Sequence, residues 1–296
     1  MLCKKPIQLS NPKGHYDVPC GQCLPCRINK GRQWTARLLM EAQCHNRSTF
    51  VTLTYDDGHL PLDTSVSKRE IQLYNKKLRR SGLKYRYFAV GEYGSKKGRA
   101  HYHLAIFGAD MYEIAGTNNL FPDPEGGFFT YEDASWKQGR VHFGELNTTT
   151  AGYICGYTTK KLTNTHDEVV QGRTPEFTLQ STKPPLGAPF IRSACEQVLR
   201  VAAYHDDPLL EAVKLFENRS IRINKKVWPL DRQMLKEVYS TLQPSADGED
   251  QKTTRQILRT KIDWWTGKAE KKATDSVRIA DKAERRIKRL SHRSPF

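Results

Sequence analysis

Residues 99–108 read Arg-Ala-His101-Tyr-His103-Leu-Ala-Ile-Phe-Gly, two histidines one residue apart at the head of an apolar run. On a β-strand, side chains two apart point to the same face, so His101 and His103 present two imidazoles to one point while Tyr102 turns away. The segment Tyr85–Glu92 reads as the preceding strand, and the basic turn Lys96-Lys97-Gly98-Arg99 joins the two. A hairpin of that length returns Glu92 beside the histidines. Two neutral imidazoles and a carboxylate hold a divalent cation and leave coordination positions open, which points to chemistry on a phosphodiester. A pair of histidines on a strand is equally at home as packing, so the reading depends on a second motif.

That motif is residues 147–162, Asn-Thr-Thr-Thr-Ala-Gly-Tyr153-Ile-Cys-Gly-Tyr157-Thr-Thr-Lys160-Lys161-Leu. Asn147 or a following threonine is the expected N-cap of a helix, preceded by an alternating strand over Arg140–Leu146. Tyr153 and Tyr157, four apart, share a helical face, and Lys160 and Lys161 continue it one turn on. A phenol with a pKa near 10 becomes a nucleophile at neutral pH only beside a metal or a cation. Gly152 and Gly156 each cost the helix about 1 kcal/mol relative to alanine but clear bulk from around the tyrosines.

The net charge of +16, from 48 Lys and Arg against 32 Asp and Glu, points to a polyanionic partner. Residues 251–296 carry 14 basic and 5 acidic side chains, with Trp264-Trp265 among them, suited to phosphate contacts and to stacking on unpaired bases. No apolar run is long enough to span a membrane and the N-terminus lacks a signal-peptide core, so a cytoplasmic location with reduced cysteines is expected. Of the 7 cysteines, Cys20, Cys23 and Cys26 are spaced as a knuckle. Cys3 would complete four thiolates around Zn²⁺, with His15 as an alternative donor. Cys44, Cys155 and Cys195 have no partner spacing and read as small packing residues. No Gly-x4-Gly-Lys-Ser/Thr is present, so no built-in ATPase is expected.

An apolar strand Phe50–Tyr55, a His-hydrophobic-His strand and Tyr-x-x-x-Tyr-x-x-Lys, in that order, resemble the rolling-circle replication initiators, endonucleases named for the His-hydrophobic-His motif. The similarity is greatest to the initiators of the microviruses, gokushovirus branch, to which the cysteine segment Pro19–Arg27 and the stretch Gly91-Glu92-Tyr93-Gly94 add. The resemblance covers roughly residues 1–190. It implies metal ligands Glu92, His101 and His103 for Mg²⁺ or Mn²⁺, nucleophiles Tyr153 and Tyr157, and an assisting Lys160. Lys96, Lys97, Arg99 and Lys161 would contact DNA. One departure is Gly156, where related two-tyrosine enzymes often carry a lysine. The implied partners are single-stranded origin DNA, a host helicase and a host polymerase.

The expected fold class is α+β: a central antiparallel sheet of Phe50–Tyr55, Tyr85–Glu92, His101–Phe107 and Arg140–Leu146, with helices on one face and the metal on the open face. Helices are expected over Arg27–His45, 68–80, Ala194–Leu215 and Asp231–Leu242, a short strand over Arg219–Asn224, and a loop over Thr163–Pro189. The chain divides as a knuckle and helix at 1–46, an endonuclease core at 47–165, a helical accessory region at 166–250 and a basic tail at 251–296. The competing function is a non-catalytic, zinc-containing single-stranded nucleic-acid binding protein. Within the same chemistry, a plasmid relaxase or transposase is the alternative.

Overall fold

A computed structural model describes residues 3–11, 14–94, 98–115, 120–124, 126–131, 133–160 (backbone alone at 157–160), 172–204, 216 and 218–242. Two compact units result, one from residues 1–30, 195–218 and 236–296 and the other from 31–194 and 219–235. The strands are β1 (Ile7–Asn11), β2 (Gly14–Val18), β3 (Ser48–Thr54), β4 (Arg86–Tyr93), β5 (Ala100–Phe107), β6 (Phe121–Pro122), β7 (Phe128–Thr130), β8 (Val141–Glu145), β9 (Phe177–Gln180), β10 (Ser220–Ile223) and β11 (Lys226–Pro229). The helices are α1 (Leu24–Ala42), α2 (Lys68–Arg80), α3 (Met111–Ala115), α4 (Thr148–Lys160), α5 (Ala188–Ala202) and α6 (Arg232–Leu242).

Seven strands form one antiparallel sheet in the order β6-β7-β8-β3-β5-β4-β9. The α+β class expected from the sequence is the fold found. On one face, Val51, Leu53 and Tyr55 of β3, Tyr102, Leu104 and Ile106 of β5, and Val141 and Phe143 of β8 pack against α2. That helix buries Ile71, Tyr74 and Leu78, a stripe at helical spacing. Ser67 caps its N-terminus by accepting from the Arg69 amide, Glu70 sits in its first turn, and Lys77, Arg79 and Arg80 in its last, all complementing the helix dipole.

The opposite face is not open. Strands β4 and β5 are buried on both sides from Phe88 and Tyr102 onward, because α1 and α4 cover what α2 does not. Trp34 of α1 packs on Phe88 at 4.9 Å between ring centroids. Glu41 of α1 is fully buried yet charge-compensated: Arg86 Nε lies 2.7 Å from Oε1, and the Gly187 amide donates to Oε2 at 2.7 Å. A buried carboxylate needs such partners, and here they fix the helix to the sheet. The apolar character of both faces of β4 and β5 carried this signal, since a strand with one solvated face would alternate.

Two further corrections concern Thr163–Pro189. Residues 177–180 are not loop but strand β9, pairing with β4 from Gly91↔Phe177 to Phe88↔Gln180. Gly91 makes room for the Phe177 ring, since a Cβ there would sit 2.8 Å from Phe177 Cζ. Helix α5 starts at Ala188, earlier than expected, with Pro189 in its first turn where a missing N–H costs nothing. The remainder of the expected helix, from 205, and the basic tail 251–296 lie outside the described residues. Strand β10 has a partner that the sequence reading omitted, β11, across a turn with Asn224 and Lys225 at positive φ (49° and 64°). The β1–β2 hairpin was likewise not anticipated.

Candidate metal centre and tyrosine helix

Glu92 and His101 are directly opposite in the β4–β5 register, and His103 is two residues along on the same face. The turn between the strands is closed by the Gly94 amide donating to the Arg99 carbonyl at 2.9 Å and by the Gly98 amide donating to the Gly94 carbonyl at 2.8 Å. Glu92 Oε1 lies 2.9 Å from His103 Nε2 and 3.2 Å from His101 Nε2. The far nitrogens are held as well. His101 Nδ1 donates to the Arg99 carbonyl at 2.9 Å, and His103 Nδ1 lies 2.9 Å from Thr52 Oγ1.

This second set of contacts tests whether the triad fits a cation. The Arg99 carbonyl only accepts, so it keeps the proton of a neutral His101 on Nδ1 and turns the Nε2 lone pair toward the Glu92 carboxylate. Two electron-rich atoms at 3.2 Å are stabilised by a positive charge between them. Two imidazole nitrogens and a carboxylate oxygen are a donor set for such an ion, and outer hydrogen bonds of this kind orient ligating histidines. The residues fit. Burial pushes the Glu92 carboxyl up, but the hydrogen bonds from His101 and His103 outweigh it and hold it below its ordinary value. Burial also lowers the His103 imidazole against the pull of Glu92. Both groups are thereby kept in the protonation states that bind metal. Glu92 and His103 are buried, and His101, with 21% of its side chain exposed, is the open side of the triad.

Helix α4 brings a tyrosine to this site. Asn147 Oδ1 accepts from the Thr149 and Thr150 amides (2.8 and 3.1 Å), fixing where the helix begins. The Tyr153 ring stands edge-on to His103, centroids 5.2 Å apart, and edge-on to Phe50 at 6.1 Å. Phe50 in turn stacks on His103 at 5.7 Å. Tyr153 is still 47% exposed. Atoms added as a Cβ at Gly152 or Gly156 would meet nothing within 4 Å, so the surface beside Tyr153 is open and packing does not demand the glycines. Tyr157 and Lys160 lie on the same helix, one and two turns on; their side chains lie outside the described residues.

Glu92, His101, His103 and Tyr153 are therefore brought together. Arg99 is at the site in a different capacity: its guanidinium is bound to Asp57 and to the Tyr55 carbonyl, while its own carbonyl orients His101. Lys96, Lys97 and Lys161 lie outside the described residues. The sequence reading missed Thr52 and Phe50, although the alternation Phe50-Val-Thr-Leu-Thr puts both on the histidine face. It also missed a row continuing across the sheet on that face, His103–Thr52–His142–Phe129–Phe121. Phe121 and Tyr131 are exposed around Phe129, and the Arg140 guanidinium lies 3.9 Å from the Phe129 centroid.

In the other unit, Cys3, Cys20, Cys23 and Cys26 form a second group able to hold a metal, their sulfurs all within 4.8 Å of one another. His15 is not part of it and pairs with Ser10 on the β1–β2 hairpin. Amide hydrogen bonds from Cys23 and Gln22 lower the Cys20 thiol to about 6, whereas burial pushes Cys26 up to about 12.

Residues 48–162, which contain the triad and the tyrosine helix, match the family model of the ORF2-type replication-associated protein. The chain is 30% identical over 181 residues to replication-associated protein VP4 of Bdellovibrio phage phiMH2K, covering 54% of each chain. It is 29% identical over 201 residues to replication-associated protein ORF2 of Spiroplasma virus 4 (55% of this chain, 62% of the relative). It is 31% identical over 158 residues to replication-associated protein ORF4 of Chlamydia phage 1 (49% and 39%). The chain spans about half the length of the curated relatives it matches. No solved structure matches it. With strand, triad and tyrosine helix inside the matched stretch, the chain resembles the replication initiators of the microviruses.

Proposed function

We propose that this protein initiates replication by nicking single-stranded origin DNA through tyrosine attack and later rejoins the strand. The observation that carries the proposal is the placement of Tyr153 edge-on to His103, whose Nε2 shares the Glu92 carboxylate with His101. The phenol oxygen attacks the scissile phosphorus, a Tyr O–P bond forms, the P–O3′ bond breaks, and the phenolic proton leaves to solvent. The products are a 5′-phosphotyrosine and a free 3′-hydroxyl. One phosphoester replaces another, so rejoining needs no ATP. Mg²⁺ or Mn²⁺ at Glu92, His101 and His103 would supply Lewis-acid charge neutralisation at the phosphate. Tyr157 and Lys160, further along α4, serve as second nucleophile and phosphate-neutralising cation. Phe121, Phe129 and Tyr131, on the histidine face, give unpaired bases a stacking surface. Without a P-loop motif, strand separation falls to a host helicase and extension of the 3′-hydroxyl to a host polymerase. The action belongs in the host cytoplasm; no described helix is long and apolar enough to cross a membrane.

The test is denaturing-gel detection of a protein–DNA adduct on labelled single-stranded origin oligonucleotides with Mn²⁺, comparing wild type with Tyr153→Phe, Tyr157→Phe and the double variant. An adduct lost in the double variant is expected. No adduct from the wild type on any origin strand, with DNA binding intact, overturns the proposal in favour of a non-catalytic binding protein.

A further inference from the structure

We infer that Cys3, Cys20, Cys23 and Cys26 form a structural Zn²⁺ site that staples the N-terminal hairpin to the start of α1, independently of the nicking chemistry. The geometry is the first argument. Sulfurs at the corners of a tetrahedron with Zn–S near 2.3 Å lie about 3.8 Å apart. Cys3 Sγ and Cys23 Sγ are 3.8 Å apart, and the whole set lies within 4.8 Å. None of the four is in a disulfide.

The second argument is the backbone around the sulfurs. The Cys20 amide donates to Cys3 Sγ at 3.3 Å, the Cys23 amide to Cys20 Sγ at 3.4 Å and the Lys4 amide to Cys23 Sγ at 3.5 Å. Main-chain donors aimed at sulfur stabilise thiolate charge, as the outer hydrogen bonds of metal ligands do. Gly21, at φ +75°, lets the chain turn tightly enough between Cys20 and Cys23 to aim them.

The third argument is what the site supports. Cys3 precedes the β1–β2 hairpin, Cys20 and Cys23 follow it, and Cys26 lies in the first turn of α1. The paired residues Ile7↔Val18 and Leu9↔Tyr16 give the hairpin one apolar face, yet Ile7, Leu9 and Tyr16 stay 49%, 41% and 41% exposed. A two-stranded ribbon with so little burial is marginal by itself in water. Closing it with a metal at its base supplies the stability that packing does not. Four thiolates with no oxygen donor select Zn²⁺ over Mg²⁺ or Mn²⁺, so the two metal groups of this chain take different ions.

The full-length protein, purified without added zinc and dialysed against Mn²⁺, should retain one Zn²⁺ per chain by elemental analysis. His101→Ala should keep that zinc and Cys23→Ser should lose it. Co²⁺ replacement in the wild type should give thiolate charge-transfer and tetrahedral d–d bands. Chelation should open Lys4–Cys20 to proteolysis while residues 48–162 stay protected, a readout that does not depend on a cysteine variant folding. A metal-free protein with four freely alkylated thiols, a Cys3–Cys23 disulfide in the native protein, or iron–sulfur absorption would each overturn the assignment. Loss of adduct formation with zinc retained would count against the nicking proposal and leave this one standing.

Discussion

Across β3 and β5, Thr52 Oγ1 lies 2.9 Å from His103 Nδ1, so a threonine on the neighbouring strand sets the direction of a metal-facing imidazole. A hydroxyl both donates and accepts and satisfies Nδ1 in either tautomer. Thr52→Val removes it at nearly constant volume. Affinity for Mn²⁺, measured by calorimetry, should fall about 10–100-fold. Thr52→Ser should restore most of it. Equal affinity for wild type and Thr52→Val would show that the contact does not orient the ring.

Gly94 guards the other histidine. A Cβ at this position would lie 2.8 Å from His101 Cε1, so an alanine pushes the ring off the triad. Gly94→Ala should weaken Mn²⁺ binding and adduct formation together, with only a small shift in the urea midpoint. Gly152→Ala, where a Cβ meets nothing, should instead stabilise α4 by about 1 kcal/mol.

The aromatic row has a binding signature of its own. Phe121→Ala and Tyr131→Ala should each weaken single-stranded DNA binding by about 1–3 kcal/mol, as expected for loss of one stacked base. The slope of log affinity against log salt should be unchanged, since no phosphate contact is removed. A changed slope with unchanged affinity at low salt would contradict stacking. Fluorescence anisotropy on an oligonucleotide, read at several salt concentrations, separates the two.

Asp133 sets a pH dependence away from the site. It is buried, and burial raises its carboxyl above the ordinary value despite amide donors from Ser135 and Trp136 and the Tyr74 hydroxyl. The native state therefore keeps this proton at pH values where the unfolded chain has lost it. From this group stability is full below pH ~4 and declines as pH rises through the raised native value. Asp133→Asn should flatten that part of the urea-unfolding profile between pH ~4 and neutrality. An unaltered slope would mean that Asp133 ionises normally in the folded protein.

Local pattern determined a large part of this protein. Period-two alternation placed His101 and His103 on one face of a strand, four-residue spacing placed Tyr153 and Tyr157 on one helix, and the stripe Ile71-Tyr74-Leu78 marked α2, because each depends only on the geometry of its own element. The same local logic grouped Cys20, Cys23 and Cys26. Register and layering were decided by tertiary structure. That Glu92 meets His101 follows from the β4–β5 pairing, that Thr52 holds His103 from β3 lying beside β5, and that the histidine face is roofed by α1 and α4 from packing between segments far apart in sequence. Strand β9 exists because β4 offers an unpaired edge and Gly91 leaves space for Phe177, neither of which can be read from Phe177–Gln180 itself. Sequence spacing carries the periodicity of an element, whereas the partners that turn a histidine into a ligand come from elsewhere in the chain.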